Sequence, residues 1–323
     1  MDPAALPGAG RSAAELLAAL GRPDGPRALL VFGSNVLVSA PDAAAVAQRL
    51  AALDLLVVAD VVPGETAMAA DVVLPVAQWA EEEGTMTNLE GRVLRRRRAL
   101  RPPPGVRTDL EVIAGLAERL GCSGFPAEPR AVFDELRAAS AGGPADYAGI
   151  SYERLDAGEA LHWPCPAPDH PGTLRLFAER FAHSDGRARF VPVDHVDVAE
   201  LPDAAFPLRA TTGRVLMHYQ SGAQTRRVRE LAEVVPESFV EVHRDTAARA
   251  GLADGQWARV VSRRGAALAR VRCVDTVRPD TVFLPFHFGA EQAANLVTNP
   301  ALDPVSRMPE FKVCAVRLEP VSP

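Results

Sequence analysis

Residues 28–60 constrain the fold of this chain more than any other stretch. An apolar run, Ala28-Leu29-Leu30-Val31-Phe32, ends at Gly33-Ser34-Asn35. After Pro41-Asp42 an alanine-rich helical stretch runs to about Leu53, and a second apolar run at 55–59 ends at Asp60. Strand, turn, helix and strand in this order predict a βαβ unit, and runs of this kind suit a parallel sheet covered on both faces. A helix over 12–20, with Ser12 as N-cap and Glu15 in its first turn, precedes the unit. A helix around 66–70, a strand at 71–74 and an amphipathic helix at 109–120, closed by Gly121, continue the pattern.

The rest of the chain reads differently. Over 125–205 prolines and glycines cluster, at Gly142-Gly143-Pro144, Trp163-Pro164-Cys165-Pro166 and His170-Pro171-Gly172, with few long periodic runs. Trp163, Phe177, Phe181 and Phe190 are its expected apolar anchors, which makes it a folded connector. From Leu208 onward short strands alternate with tight turns: 258–262 and 267–274 flank Arg264-Gly265, and a short helix at 245–250 leads into a glycine-bearing turn at 251–255. The expected division is an α/β domain at 1–124, the connector at 125–205 and a small β-barrel domain at 206–323.

Composition narrows the function. Of 323 residues, 48% are hydrophobic and 24% charged, ordinary for a soluble globular chain long enough for about two domains. The apolar runs are too short to span a bilayer. A net charge of −6 argues against nucleic acid as a partner. The run Arg95-Arg96-Arg97-Arg98 reads as a solvated face or a subunit contact, with electron-donor docking as the alternative. Cys122, Cys165, Cys273 and Cys314 are scattered with no C-x-x-C pair, so they encode neither a zinc site nor an iron–sulfur cluster. They read as reduced thiols, mostly buried, with Cys165 between its prolines the one expected to be exposed.

The chemistry concentrates at Thr211-Thr212-Gly213-Arg214-Val215-Leu216-Met217-His218-Tyr219-Gln220-Ser221-Gly222, read with Asn295 and Lys312. Thr212 and Gly213 let the backbone approach an anion, and Arg214 can give a phosphate two parallel hydrogen bonds. Gln220 and Ser221 can complete the bonding of a buried polar ligand. Alone, a T-G-R turn feeding a strand is commonplace.

Together with its companions, this segment resembles the dinucleotide-binding domain of the molybdopterin oxidoreductases. Ala69-Ala70-Asp71-Val72-Val73-Leu74-Pro75, followed by Trp79-Ala80-Glu81-Glu82-Glu83-Gly84-Thr85-Met86-Thr87-Asn88, is similar to a second family stretch. Trp163-Pro164-Cys165-Pro166, His170-Pro171-Gly172-Thr173 and Asp185-Gly186-Arg187-Ala188 resemble the connector of assimilatory nitrate reductases, and the segments at 295–299, 303–306 and 311–315 resemble the family's tail. The resemblance covers nearly the whole chain. It implies a Rossmann-like parallel α/β domain followed by a double-psi β-barrel, both serving one molybdenum bis(molybdopterin guanine dinucleotide) cofactor.

By that resemblance the cofactor-binding residues are Asn35, Ala59, Asp60, Asp109, Thr212, Gly213, Arg214, Val215, Leu216, Met217, His218, Tyr219, Gln220, Ser221, Asn295 and Lys312. Asn35 and Asp60 sit where open α/β sheets bind ligands, and a carboxylate there can accept two bonds from guanine. Asp109 reads equally well as a helix-end acid. His287, between Phe286 and Phe288, matches a position near the substrate funnel, with a structural histidine as the alternative. Glu82 departs from the family, which often has lysine there; either the contact is lost or a residue such as Arg92 replaces it.

The implied activity is molybdenum-dependent reduction of nitrate to nitrite, in nitrate assimilation, with formate dehydrogenase chemistry or a non-catalytic dinucleotide-binding module as alternatives. Full-length relatives begin with a cysteine cluster and a domain supplying the metal ligand, so the chain is expected to be the C-terminal half of such an enzyme, without catalytic or metal-ligating residues of its own. Its partners would then be an N-terminal iron–sulfur and molybdenum part and an electron-donor protein, in the cytoplasm.

Overall fold

The computed structural model describes residues 8–321. Helix α1 (Ala13–Ala19) starts with a capping box in which Ser12 and Glu15 satisfy each other's backbone N–H. Strand β1 (Ala28–Phe32) is followed by a short helix α2 (Val36–Ser39) and by α3 (Ala43–Ala51), capped by the Asp42 carboxylate. Strand β2 (Leu55–Asp60) pairs with β1 in parallel, Ala28 opposite Leu55 and Phe32 opposite Ala59. Helix α4 (Glu65–Met68) leads to β3 (Val72–Pro75), which completes a sheet of order β1-β2-β3.

Alternation sorts the two faces of this sheet. Leu29, Val31, Leu56 and Val58 turn to one face and pack with Leu16 and Leu17 from α1, with Leu20 at its C-terminal end, and with Val46 and Leu50 from α3. Leu30 and Leu55 turn to the other and remain 45% and 38% exposed. The expectation that both faces are covered is corrected in part: among the described residues the face under α1 and α3 is buried, while the other is covered at Ala59 but open at Leu30 and Leu55.

In the next part of the chain β4 (Gly84–Thr87) and β5 (Val93–Arg96) form an antiparallel hairpin, followed by α5 (Asp109–Arg119), α6 (Pro129–Ser140) and α7 (Tyr152–Asp156). Val93, Phe133, Ile150, Tyr152, Leu155, Leu161 and Cys165 make a core shared by β5, α6 and α7, with Tyr147 and Trp163 against it. Three sequence expectations change. Helix α6 is a regular helix inside the stretch read as aperiodic. Phe177, Phe181 and Phe190 are 55%, 41% and 92% exposed, and of the four expected anchors only Trp163 joins the core. Cys165 is fully buried, its thiol donating to the His170 carbonyl, whereas Cys122 is exposed.

The arginine run is less solvated than expected at Arg95 and Arg96, while Arg97 and Arg98 stay exposed. Arg95 lies 4.1 Å from the Tyr152 ring centroid and bonds the Gly84 carbonyl; Arg96 pairs with Glu82 at 2.6 Å and Arg97 with Asp156 at 2.9 Å. Three of the four cations are therefore spent within their own fold.

The last part is a closed barrel. Strand β6 (Leu208–Gly213), helix α8 (Arg229–Val234), β7 (Phe239–His243), α9 (Arg244–Arg249), β8 (Trp257–Val261), β9 (Ala266–Val274), β10 (Thr281–Pro285) and β11 (Cys314–Pro320) follow in order. The strands close as β10-β6-β11-β8-β9-β7, with β10–β6 and β7–β9 parallel and the other documented pairs antiparallel. Small and branched residues fill the interior, among them Ala210, Val240, Val260, Ala269, Val282, Leu284 and Val316, each no more than 1% exposed.

Packing divides the described chain into two compact units. One holds residues 75–195; the other joins 9–74 to 196–321, so the α/β layer and the barrel form one body.

Burial makes the thiols unequal. Cys314 is pushed up to about 11 by its burial, and Cys165 is shut away. Cys122 is expected to react with a thiol reagent in the native protein, while Cys165 and Cys314 react only after unfolding. Native-state modification of Cys165 ahead of Cys122, read by peptide mapping, would contradict this packing.

Candidate functional site: a cationic pocket beside the barrel

A pocket of about 220 Å³ opens where β6 ends, lined by Ser39, Thr212, Arg214, Gln220, Phe286, Asn295, Phe311 and Lys312. The Arg214 guanidinium is 5.2 Å from the Phe286 ring centroid and the Lys312 ammonium 5.8 Å from it. Lys312 also donates to the Thr212 carbonyl at 2.6 Å, while the Thr212 hydroxyl donates to the Phe311 carbonyl at 3.0 Å. Among the described residues neither cation has a carboxylate partner. Burial and the neighbouring Arg214 charge hold Lys312 below the usual lysine range. Two like charges brought together over an aromatic ring, with polar groups around them, form a receptor for an anion.

The segment carrying Arg214 is held from beneath. His287 is fully buried; its Nε2 accepts from the Val215 N–H at 2.9 Å, and its Nδ1 donates to the Gln220 carbonyl at 2.5 Å. These bonds fix a neutral ring in one tautomer. His218, 4% exposed, bonds the Val235 carbonyl at 2.8 Å and the Thr225 hydroxyl at 3.2 Å. Gly213 has a packing reason: an added Cβ would lie 2.4 Å from the Phe283 ring.

A polar seam ties this segment to the α/β layer. The Asn35 amide donates to Glu65 at 2.6 Å and to the Ser221 hydroxyl at 3.4 Å, and its oxygen accepts from the Thr66 N–H and hydroxyl. Arg226 pairs with the other Glu65 oxygen at 2.6 Å. Asn295, 3% exposed, donates to the Val38 carbonyl at 2.6 Å and accepts from Thr298 at 2.9 Å.

The structure thus brings Thr212, Arg214, Gln220, Asn295 and Lys312 to one pocket. Val215 and Met217 point inward against Phe239 and Phe288, while Leu216 and Tyr219 are 95% and 73% exposed. Ala59 is buried with its carbonyl accepting from Gly33, and the Asp60 carboxylate accepts from the Val61 N–H at 2.7 Å. Asp109 and Glu82 belong to the 75–195 unit. Asp109 is the exposed first residue of α5, whose cap is Thr108, and Glu82 is paired with Arg96. Sequence reading passed over Ser39, Glu65, Arg226, Phe286 and Phe311. Phe286 and Phe311 flank His287 and Lys312, so their place in the chain was a usable signal; Glu65 and Arg226 gave none.

Among the described residues no group of three or more His, Cys, Asp or Glu side chains is placed to hold a metal, and no helix is long and apolar enough to cross a membrane.

The fold is an α/β layer joined to a closed barrel, with two cations that lack a carboxylate partner among the described residues lining one pocket, and comparison with known proteins makes the class specific. Residues 10–119 match the molybdopterin oxidoreductase family model and residues 208–315 the molydopterin dinucleotide binding domain. The chain is 44% identical, over 98% of its length, to the assimilatory nitrate reductase catalytic subunit of Bacillus subtilis, covering 45% of that protein. It is 41% identical, over 90% of its length, to the F420-dependent formate dehydrogenase subunit alpha of Methanocaldococcus jannaschii, covering 43% of it. Acetylene hydratase from Pelobacter acetylenicus shares the fold, with a TM-score of 0.70 at 19% identity over 95% of this chain and 46% of that one. The chain belongs to the molybdopterin oxidoreductase family. It spans less than half the length of these relatives.

Proposed function

We propose that this chain is the dinucleotide-holding portion of a molybdenum enzyme that reduces nitrate to nitrite. The observation that carries the reading is the Arg214–Lys312 pair, two cations without a carboxylate partner among the described residues, facing one pocket. Arg214 and Lys312 would hold a phosphate of molybdopterin guanine dinucleotide, and Gln220 would bond its polar groups. Asp60, at the end of β2, is offered as the guanine acceptor, with Asp109 as its rival. Residues 1–124 are read as a Rossmann-like domain, 125–205 as the connector and 206–323 as a double-psi barrel. When bound, the molybdenum cofactor supplies the redox chemistry. The metal ligand and the iron–sulfur cluster would come from another part of the enzyme, electrons from a donor protein, and the setting would be cytoplasmic.

Formate oxidation is the second reading, favoured by the similar identity to formate dehydrogenase alpha subunits. The test uses the whole enzyme that carries this chain. Nitrate-dependent oxidation of reduced viologen, without formate-dependent viologen reduction, is the expected result. The reverse pattern assigns formate, and turnover of neither sinks both.

A further inference from the structure

We propose that Glu65 is a positioning residue for the cationic pocket: acting through Arg226, it fixes the 214–222 segment that presents Arg214 and Gln220. The inference rests on the dinucleotide reading above and adds to it two residues outside the motif.

Glu65 opens α4, far from the barrel in sequence. One carboxylate oxygen receives the Arg226 guanidinium at 2.6 Å and the other the Asn35 amide at 2.6 Å. The same Arg226 nitrogen donates to the Ser221 carbonyl at 3.3 Å, so the pair grips the segment's backbone. Both side chains are about seven-tenths buried. Two glycines make room for them. A Cβ on Gly289 would lie 2.3 Å from the Glu65 carboxylate; one on Gly222 would lie 2.4 Å from the His287 carbonyl and 2.8 Å from the Arg226 Nε. Gly222 also has φ +71°, which an L side chain resists. Burial disfavours the charged carboxylate, but the bonds from Asn35 and Arg226 outweigh it and hold Glu65 below the ordinary range.

Glu65 has a second effect by its charge. It neutralises Arg226, leaving Arg214 and Lys312 as the cations facing the pocket. Removing that charge therefore has two consequences of opposite sign: a more positive field would tighten anion binding, and a loosened segment would weaken it. Positioning requires the loosening to win, because an anion receptor depends on donors already in place.

The test is titration calorimetry of the full chain with GDP as the probe, on wild type, Glu65→Gln, Arg226→Gln and the double variant. Each single change is expected to weaken binding about tenfold, and the double change no further, since one network is being cut twice. Unchanged affinity in Glu65→Gln, tighter binding at low salt, or losses that multiply in the double variant would each overturn the proposal while leaving the dinucleotide reading intact. Failure of the wild type to bind GDP overturns that reading and this proposal with it. Should Glu65→Gln lose its native circular dichroism, Glu65→Asp takes its place. Its carboxylate is one methylene short of Arg226, and wild-type affinity in that variant would count against positioning.

Discussion

Replacing His287 with alanine is expected to cost about 3–5 kcal/mol of stability, the largest single-residue effect in the pocket region. The change empties a fully buried ring site and leaves the Val215 N–H and the Gln220 carbonyl without their partner. Urea unfolding should show a lower midpoint, and the 214–222 segment should become the earliest protease cleavage site. A loss below about 1 kcal/mol, the scale of a surface change, would mean that the ring is not the latch described.

The same residue imposes a pH dependence with a definite sign. Burial, opposed by the bond to Gln220 and reinforced by the charges of His218, Arg214 and Arg226, holds His287 below its ordinary 6.5. The unfolded chain takes up its proton first, so the contribution is complete above about 6.5 and is lost as pH falls below it. Between pH 7.5 and 5.5 the wild type should lose stability more steeply than His287→Ala. Parallel slopes would place the titration elsewhere.

Removing Arg214 is the second large effect. Arg214→Ala should weaken the hold on a dinucleotide phosphate by about 1.5–3 kcal/mol, the range for a charge-assisted pair. In an enzyme purified with its cofactor, molybdenum and guanine content should fall together. Because the Arg214 charge helps to depress Lys312, its loss should also let the lysine rise toward its usual range. Cofactor content equal to wild type would reduce Arg214 to a surface residue.

Much of this was legible in the sequence for identifiable reasons. The βαβ unit announced itself through apolar runs bounded by turn residues, and α1 through its Ser12–Glu15 capping box. The barrel strands at β8 and β9 flank the turn at Arg264-Gly265 that the sequence displays. Helix α6 was hidden by its neighbours: prolines and glycines on both sides outweighed the helical spacing of Val132, Phe133 and Leu136. Cys165 misled in the same way, because flanking prolines suggest an exposed loop while its thiol is enclosed by the segment around it. The Glu65–Arg226 pair could not be read at all, since the partners lie 161 residues apart and neither belongs to a periodic pattern. The pocket's cations were readable as residue types, and the structural alternative weighed for His287 is the role its two backbone bonds show, though neither bonding partner could be named from the sequence.

The unit that joins 9–74 to 196–321 has a consequence in time. A ribosome delivers the α/β layer first and the barrel last. The bond between Val38 and Asn295 must wait for 257 further residues, roughly 10–50 s of synthesis at ordinary elongation rates. Through that interval the nascent layer holds Asn35 without Ser221 and Glu65 without Arg226. The 75–195 unit, contiguous in sequence, can close its own core meanwhile. Codon usage that slows the ribosome beyond residue 196 would therefore lengthen the exposure of the earlier segment alone, and chaperone demand in the growing chain should track that delay.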